Sequence, residues 1–262
     1  MLENMQSVMF VMQNGLARLT LNRPEKHNAF TAQTILELTQ AFTLLGQDAS
    51  VRAILLSGNG PSFCAGADAN WMRASAELSE AENRADAQRL SDMLVTIDQC
   101  PKPVICIAHG FVFGGGVGLV ACADLVVVRT ATKFRLSEVR LGLTPATISP
   151  FVLGKIGAGQ ARRWFLTAED FGAEQAVAMG LAHVHSDEPE TVVQGWFADL
   201  LQGAPGAISD AKALVRDVSG RPVSASLRAE TADRIAARRA CAEGREGLQA
   251  FLDKRKPTWA TT

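Results

Sequence analysis

Three consecutive glycines stand inside an apolar run that reads His109-Gly110-Phe111-Val112-Phe113-Gly114-Gly115-Gly116-Val117-Gly118. Glycines cost backbone entropy, but between a strand and a helix they uncover N–H groups at the helix start, where the dipole favours negative charge. That is an arrangement for holding an oxyanion. A second small-residue loop, Ser62-Phe63-Cys64-Ala65-Gly66-Ala67-Asp68, follows a strand-like run and can also turn its amides outward. A third segment, Leu136-Ser137-Glu138-Val139-Arg140-Leu141-Gly142-Leu143-Thr144-Pro145, sets one carboxylate in a turn-rich stretch, and a positioned carboxylate moves protons. Taken one at a time, the three have plainer readings: close strand–helix packing, a tight turn and a solvated acid. A dinucleotide fingerprint is excluded, because Leu119 occupies the last glycine position that G-x-G-x-x-G requires.

The elements that must carry these segments follow from apolar periodicity. Residues 8–12 and 16–21 alternate around Gln13-Asn14-Gly15, and Asn-Gly supplies the positive φ angles of a tight hairpin turn. Ile35, Leu38, Phe42 and Leu45 keep helical spacing, with Gly46 at the expected helix end. A buried strand follows over residues 51–57. Ser79 and Glu82 form a capping box that opens a long helix with Leu90, Met93, Leu94 and Ile97 on one face, stopped by Pro101 and Pro103. Residues 104–108 and 125–128 read as buried strands flanking the glycine-rich loop and a short helix through Val120 and Ala121. Alternating β-branched strands and helices predict an α/β fold with parallel strands. From about residue 147 the pattern is almost wholly helical. The expected division is a 1–195 α/β core carrying the site and a 196–262 helical C-terminal region, with no repeat evident at the residue level.

Composition narrows the class. Lys plus Arg (26) nearly cancels Asp plus Glu (27), so no broad field attracts nucleic acid or an anionic membrane. Residues 111–123 are all apolar or glycine, yet this run of 13 falls short of the roughly 20 residues a membrane helix needs. Cys64, Cys100, Cys106, Cys122 and Cys241 form no C-x-x-C pair and no zinc-type cluster, which predicts reduced thiols, no metal and, with no export signal at the N-terminus, a cytoplasmic protein.

In order along the chain, the motifs resemble those of the crotonase family, the enoyl-CoA hydratases and isomerases. Asn22-Arg23-Pro24-Glu25-Lys26-His27-Asn28-Ala29 is similar to that family's N-R-P-x-x-x-N-A, and Ala65-Gly66-Ala67-Asp68 to its A-G-x-D. The glycine triplet and Ser137-Glu138-x-x-Leu141-Gly142 are similar to its remaining signatures. The resemblance implies a crotonase-like spiral of ββα turns with a helical C-terminal trimerisation region, assembled as homotrimers or homohexamers. It also implies an acyl-CoA thioester as substrate, with no separate cofactor because coenzyme A is part of that substrate. On the matching positions, the amides of Ala67 and Gly115 would hold the thioester oxygen. Ala65 and Asp68 would lie along the adenine and pantetheine path, and Lys26 and the C-terminal arginines would be candidates for the CoA phosphates.

One position departs from the pattern. Hydratases of the family commonly carry two glutamates, but where the first would stand, two residues past Gly116, this chain has Gly118. Hydration is shared readily between two carboxylates, whereas double-bond isomerisation needs one. Residues 137–152 and 161–169 nevertheless resemble bacterial methylglutaconyl-CoA hydratases of leucine breakdown, so hydration of a short or branched 2-enoyl-CoA by Glu138 alone is the expectation. Isomerisation and non-catalytic acyl-CoA binding are the alternatives. Gly118 is expected to leave room for substrate, and Arg73 and Arg140 are candidates for a second substrate carboxylate. Two other chemistries have weaker support. A serine peptidase needs a Ser–His–Asp set that the four histidines do not supply, and Cys64, with no base nearby in sequence, reads as a small buried hydrophobe.

Overall fold

The computed structural model describes Leu2 and residues 5–260. Strand β1 (Val8–Gln13) turns back through Asn14 and Gly15, both at positive φ, into β2 (Leu16–Leu21), and the two pair antiparallel from Val8↔Leu21 to Gln13↔Leu16. Helix α1 (Ala32–Gln47) starts at Thr31, whose side chain accepts from the Thr34 amide, and buries Ile35, Leu38, Phe42 and Leu45. Gly46 lies within α1 rather than beyond its end. A Cβ there would come within 3.2 Å of Pro101 Cδ, so this glycine serves close packing rather than helix termination.

Strand β3 (Ala53–Gly58) leads to α2 (Ala69–Ser75) and then to α3 (Glu80–Asp98), opened by the Ser79/Glu82 capping box. Next come β4 (Val104–Ala108), β5 (Phe111–Phe113), α4 (Gly115–Cys122), β6 (Leu125–Val128), β7 (Lys133–Arg135) and α5 (Ser149–Thr167). The chain continues through β8 (Phe171–Gly172), α6 (Ala173–Ala178), β9 (Val184–His185) and α7 (Pro189–Gln202). Three helices close it: α8 (Pro205–Val218), α9 (Ala225–Ala240) and α10 (Ala242–Leu252). The short strands β8 and β9 interrupt the helical pattern expected beyond residue 147.

Two sheets organise these elements. The larger has the order β1-β2-β3-β4-β6-β9 and is parallel from β2 onward; the smaller has the order β5-β7-β8. Each turn of the chain gives one strand to the large sheet, crosses to the small one and returns through helix. The units β4-β5-α4 and β6-β7-α5 show this fully. In the two earlier turns the second strand shrinks to single bridge residues, Phe30 paired with Ala67 and Cys64 paired with Val112. The expected spiral of ββα turns and the α/β class are therefore present.

Residues of the central strands alternate between two cores. Ile54, Leu56, Cys106 and Val126 face one with Phe42, Phe63 and Leu94, while Leu55, Ile105 and Val127 face the other with Val193 of α7. Burial on both faces explains why these strands read as continuous apolar runs. It also corrects the boundary expected at residue 195, which falls inside α7: Val193, Trp196, Phe197 and Leu200 all pack against the second core. No helix among the described residues is long and apolar enough to cross a membrane.

Candidate active site

The loop before α2 is fixed from three sides. Phe30 N donates to Gly66 O (2.7 Å) and Asp68 N to Phe30 O (2.9 Å), so Ala67 sits between two backbone bonds. Arg23 donates to Asp68 Oδ2 (3.0 Å) and to Ala29 O (2.7 Å), while Asn28, wholly buried, donates to Asn59 O and Ser62 O. Asp68 also caps α2 by accepting from Asn70 N. Burial opposes its charge, but the Asn70 amide and the Arg23 guanidinium outweigh burial and hold its carboxyl below the usual carboxylate range. The N-R-P-x-x-x-N-A segment is thus a clamp on the small-residue loop.

The glycine triplet is bound to the same loop. Cys64 N donates to Phe111 O and Phe113 N to Cys64 O (2.9 Å), which lays β5 beside residue 64. A Cβ on Gly116 would stand 2.4 Å from Cys64 O, and one on Gly115 would stand 2.7 Å from Phe30 Cε2. Only glycine lets the start of α4 approach this closely. Gly114 N donates to Arg135 O (2.9 Å), so the end of β7 lies against the triplet and delivers Glu138 three residues later, at the head of the 3-10 turn Glu138–Leu141. Glu138 Oε1 lies 3.1 Å from where a Cβ on Gly114 would be.

Ala65, Ala67, Gly115 and Glu138 line one cavity of about 310 Å³, closed by Trp71 and Met72 of α2, Asn83, Asp86, Ala87 and Leu90 of α3, and residues 141, 143–148. Among the described residues, the amides of Ala67 and Gly115 donate to no protein acceptor. Glu138 Oε2 is buried without a partner, and burial pushes its carboxyl above the ordinary glutamate value, opposed only by its own backbone N–H. Two free donors and one carboxylate whose proton affinity is raised by burial thus face a common space.

The other sequence candidates divide. Lys26 is exposed on the 3-10 turn Pro24–Lys26, beside His27, whose carbonyl accepts from Ala65 N; this puts it at the rim, outside the lining. Asp68 lies behind the loop, bound to Arg23, and does not line the cavity. Gly118 is a correction. Its Cβ would stand 2.5 Å from Ile148 Cγ2, so the space expected for substrate is filled by Ile148, which lines the cavity instead. Arg73 and Arg140 are both exposed and neither lines the cavity. Of the C-terminal arginines, Arg234 is paired with Asp217 and Glu230, and Arg238 with Asp210 and Glu243.

The competing chemistries fare poorly. His27 Nδ1 does lie 2.9 Å from Ser62 Oγ, but Ser62 is wholly buried and no substrate can reach it. Cys64 is also wholly buried, and desolvation pushes its thiol up to about 12, the reverse of an activated nucleophile. The α3 residues of the lining escape a reading of sequence alone. Asn83, Asp86, Ala87 and Leu90 continue, at helical spacing, the apolar stripe of Leu94 and Ile97, and a polar interruption of a buried stripe is the one signal that marks them.

A family model described as enoyl-CoA hydratase/isomerase matches residues 11–262. A crotonyl-CoA hydratase of Syntrophomonas wolfei is 30% identical over 255 residues, covering 96% of this chain and 96% of the relative. An enoyl-CoA hydratase of Alternaria alternata is 38% identical over 208 residues, 78% of this chain and 67% of its own. Among solved structures, that of an enoyl-CoA hydratase from Shewanella pealeana superposes with a TM-score of 0.97 at 36% identity, covering 98% of this chain and 97% of the other.

Proposed function

Because this chain belongs to the enoyl-CoA hydratase/isomerase family, we propose that it adds water across the double bond of a short or branched 2-enoyl-CoA. The observation that carries this reading is the meeting of two unpartnered amides, Ala67 and Gly115, and the unpartnered Glu138 carboxylate on one cavity. In the addition, Glu138 takes a proton from water while the water oxygen bonds to C3. The electron pair of the double bond moves through C2 onto the thioester oxygen, where the two amides stabilise it. Glu138 then returns the same proton to C2 on the same face, and the carbonyl re-forms. Preset donors lower the cost of that enolate because they need no reorganisation as charge develops.

The position two residues past Gly116 favours a second reading. With Ile148 filling the space beside Gly118, no second carboxylate stands at that position, and a single carboxylate also serves to carry a proton between C4 and C2 in an isomerase. The resemblance over residues 137–152 points, among hydratase substrates, to a methylglutaconyl thioester, whose second carboxylate calls for a cation that the cavity lining does not supply. The CoA part needs no separate cofactor, and Lys26 at the rim is a candidate for its phosphates. We place the enzyme in the cytoplasm, where its five free cysteines would stay reduced, and take it to assemble as a trimer or hexamer. The test is a spectrophotometric panel of crotonyl-, methylglutaconyl- and 3-enoyl-CoA. Wild type should consume crotonyl-CoA, and Glu138→Gln should lower that turnover by about 10²–10⁴-fold. Wild-type rates in the variant, or turnover of 3-enoyl-CoA alone, would overturn hydration by Glu138.

A further inference from the structure

The reaction cavity has one ionisable group besides Glu138, and hydration as proposed does not use it. Asp86 lies on α3, is nine-tenths buried, and lines the cavity with Asn83 one turn before it and Leu90 one turn after. Its Oδ1 accepts from Arg89 Nη2 at 2.6 Å, which fixes the carboxylate; Arg89 itself is mostly in solvent and does not line the cavity. Asp86 Oδ2 accepts no hydrogen bond among the described residues. Among the described residues, no lysine, arginine or histidine lines the cavity.

The position of Asp86 separates it from the chemical step. Leu94 Cδ2 is 3.6 Å from where a Cβ on Gly118 would be, so Leu94 marks the level at which the missing second glutamate would begin. Asp86 is two turns away, about 12 Å along the axis at 1.5 Å per residue. It therefore does not replace that glutamate. It faces another part of the acyl space, with one oxygen free to accept and the Asn83 side chain beside it, whose amide donates to Leu78 O.

Resting on the enoyl-CoA reading, we infer that Asp86 is a specificity residue that favours acyl chains ending in a hydrogen-bond donor such as a hydroxyl and excludes those ending in a carboxylate. A hydroxyl donates to the free Oδ2, a bond that a methyl end cannot make. A carboxylate end brings a like charge against Asp86, whose ion-pair partner Arg89 is mostly in solvent and outside the lining, and that juxtaposition is unfavourable. The rejection of anionic chains is thus built in by a repulsive group as well as by missing attraction.

The experiment compares length-matched 2-enoyl-CoA thioesters ending in methyl, hydroxyl or carboxylate, in wild type and in Asp86→Asn, read as ratios of kcat/KM. Wild type should prefer the hydroxyl end over the carboxylate end by about tenfold or more, and Asp86→Asn should narrow that ratio by a similar factor. An unchanged ratio in a folded variant, or a wild type that prefers the carboxylate end, would overturn the assignment. Should the variant not fold, calorimetric binding of saturated hydroxyl-ended and carboxylate-ended acyl-CoA to wild type decides the same question by the order of affinities. Binding also separates this inference from the hydratase reading. The expected order of affinities without turnover of any enoyl thioester would sink hydration alone, whereas crotonyl-CoA turnover without that order would sink the role of Asp86 alone.

Discussion

The proton-transfer role proposed for Glu138 rests on its burial, and the same burial fixes how stability responds to pH. Its folded-state value is raised above the ordinary one, so the protonated form is favoured in the native protein. The associated stability is fully present below the unfolded value and is lost as pH rises through the folded value. Glutamine carries no such penalty. Glu138→Gln should therefore gain thermal stability relative to wild type as pH rises from acid to neutral, while losing turnover; a melting series that shows no such trend would contradict the desolvated carboxylate. The hydration rate of wild type should rise with pH through a group titrating above the ordinary glutamate value, since the first step needs the carboxylate. Gly118 gives the complementary case. With Ile148 Cγ2 2.5 Å from its would-be Cβ, Gly118→Glu overpacks a buried contact, and the expected result is a loss of about 1–3 kcal/mol in urea unfolding with no gain in activity. A large rise in turnover would mean that Ile148 yields its place to a second carboxylate.

At the scale of elements, the loop that carries the Ala67 amide is held in part by an ion pair that does not touch the cavity. Arg23 and Asp68 form a pair that is largely buried, with side chains 21% and 8% exposed, and it joins the end of β2 to the start of α2. Removing one partner leaves the other charge poorly solvated, so Arg23→Ala should cost about 3 kcal/mol in urea unfolding. The loop would relax with it, and a displacement near 1 Å at such a site is worth about 10²-fold in rate; unchanged kcat/KM would show that the backbone bonds of Phe30 hold Ala67 unaided. Much of this frame is legible in the sequence, because hairpin, capping box and central strands depend on local pattern. The Asn-Gly turn, Ser79 with Glu82, and the apolar runs at 51–57 and 104–108 all act within a few residues. Strands β7, β8 and β9 are not legible there, since two or three residues carry no period and are strands only through their partners. The repeat of ββα turns is hidden for the same reason, Phe30 and Cys64 each standing in for a whole strand. Glu138, Ala67 and Gly115 can be named from motifs, but the filling of the Gly118 site by Ile148 and the approach of Asp86 arise from contacts between distant parts of the chain.

For the whole molecule, the question is what covers the apolar groups that the single chain leaves outside. Phe251 and Leu252 of α10 are 80% and 71% exposed, and Leu248, one turn earlier on the same face, is also exposed. Beside them in sequence, two of the four arginines of α9 pair with nearby carboxylates, Arg234 with Asp217 and Glu230 and Arg238 with Asp210 and Glu243, and these pairs link α9 to α8 and α10. A rigid helical unit with an apolar face turned outward is suited to bind another copy of the chain, because burying one such side chain contributes roughly 1.5–3 kcal/mol. For the trimer or hexamer proposed above, light scattering after gel filtration should report three or six times the 28.0 kDa chain mass. Replacing Phe251 and Leu252 together by glutamate should shift the distribution toward the single chain, since charge at a closing interface must be desolvated without a partner. A wild type that runs as a monomer at working concentration would instead leave the C-terminal helices as a cover for the second core, and their apolar face would need a different explanation.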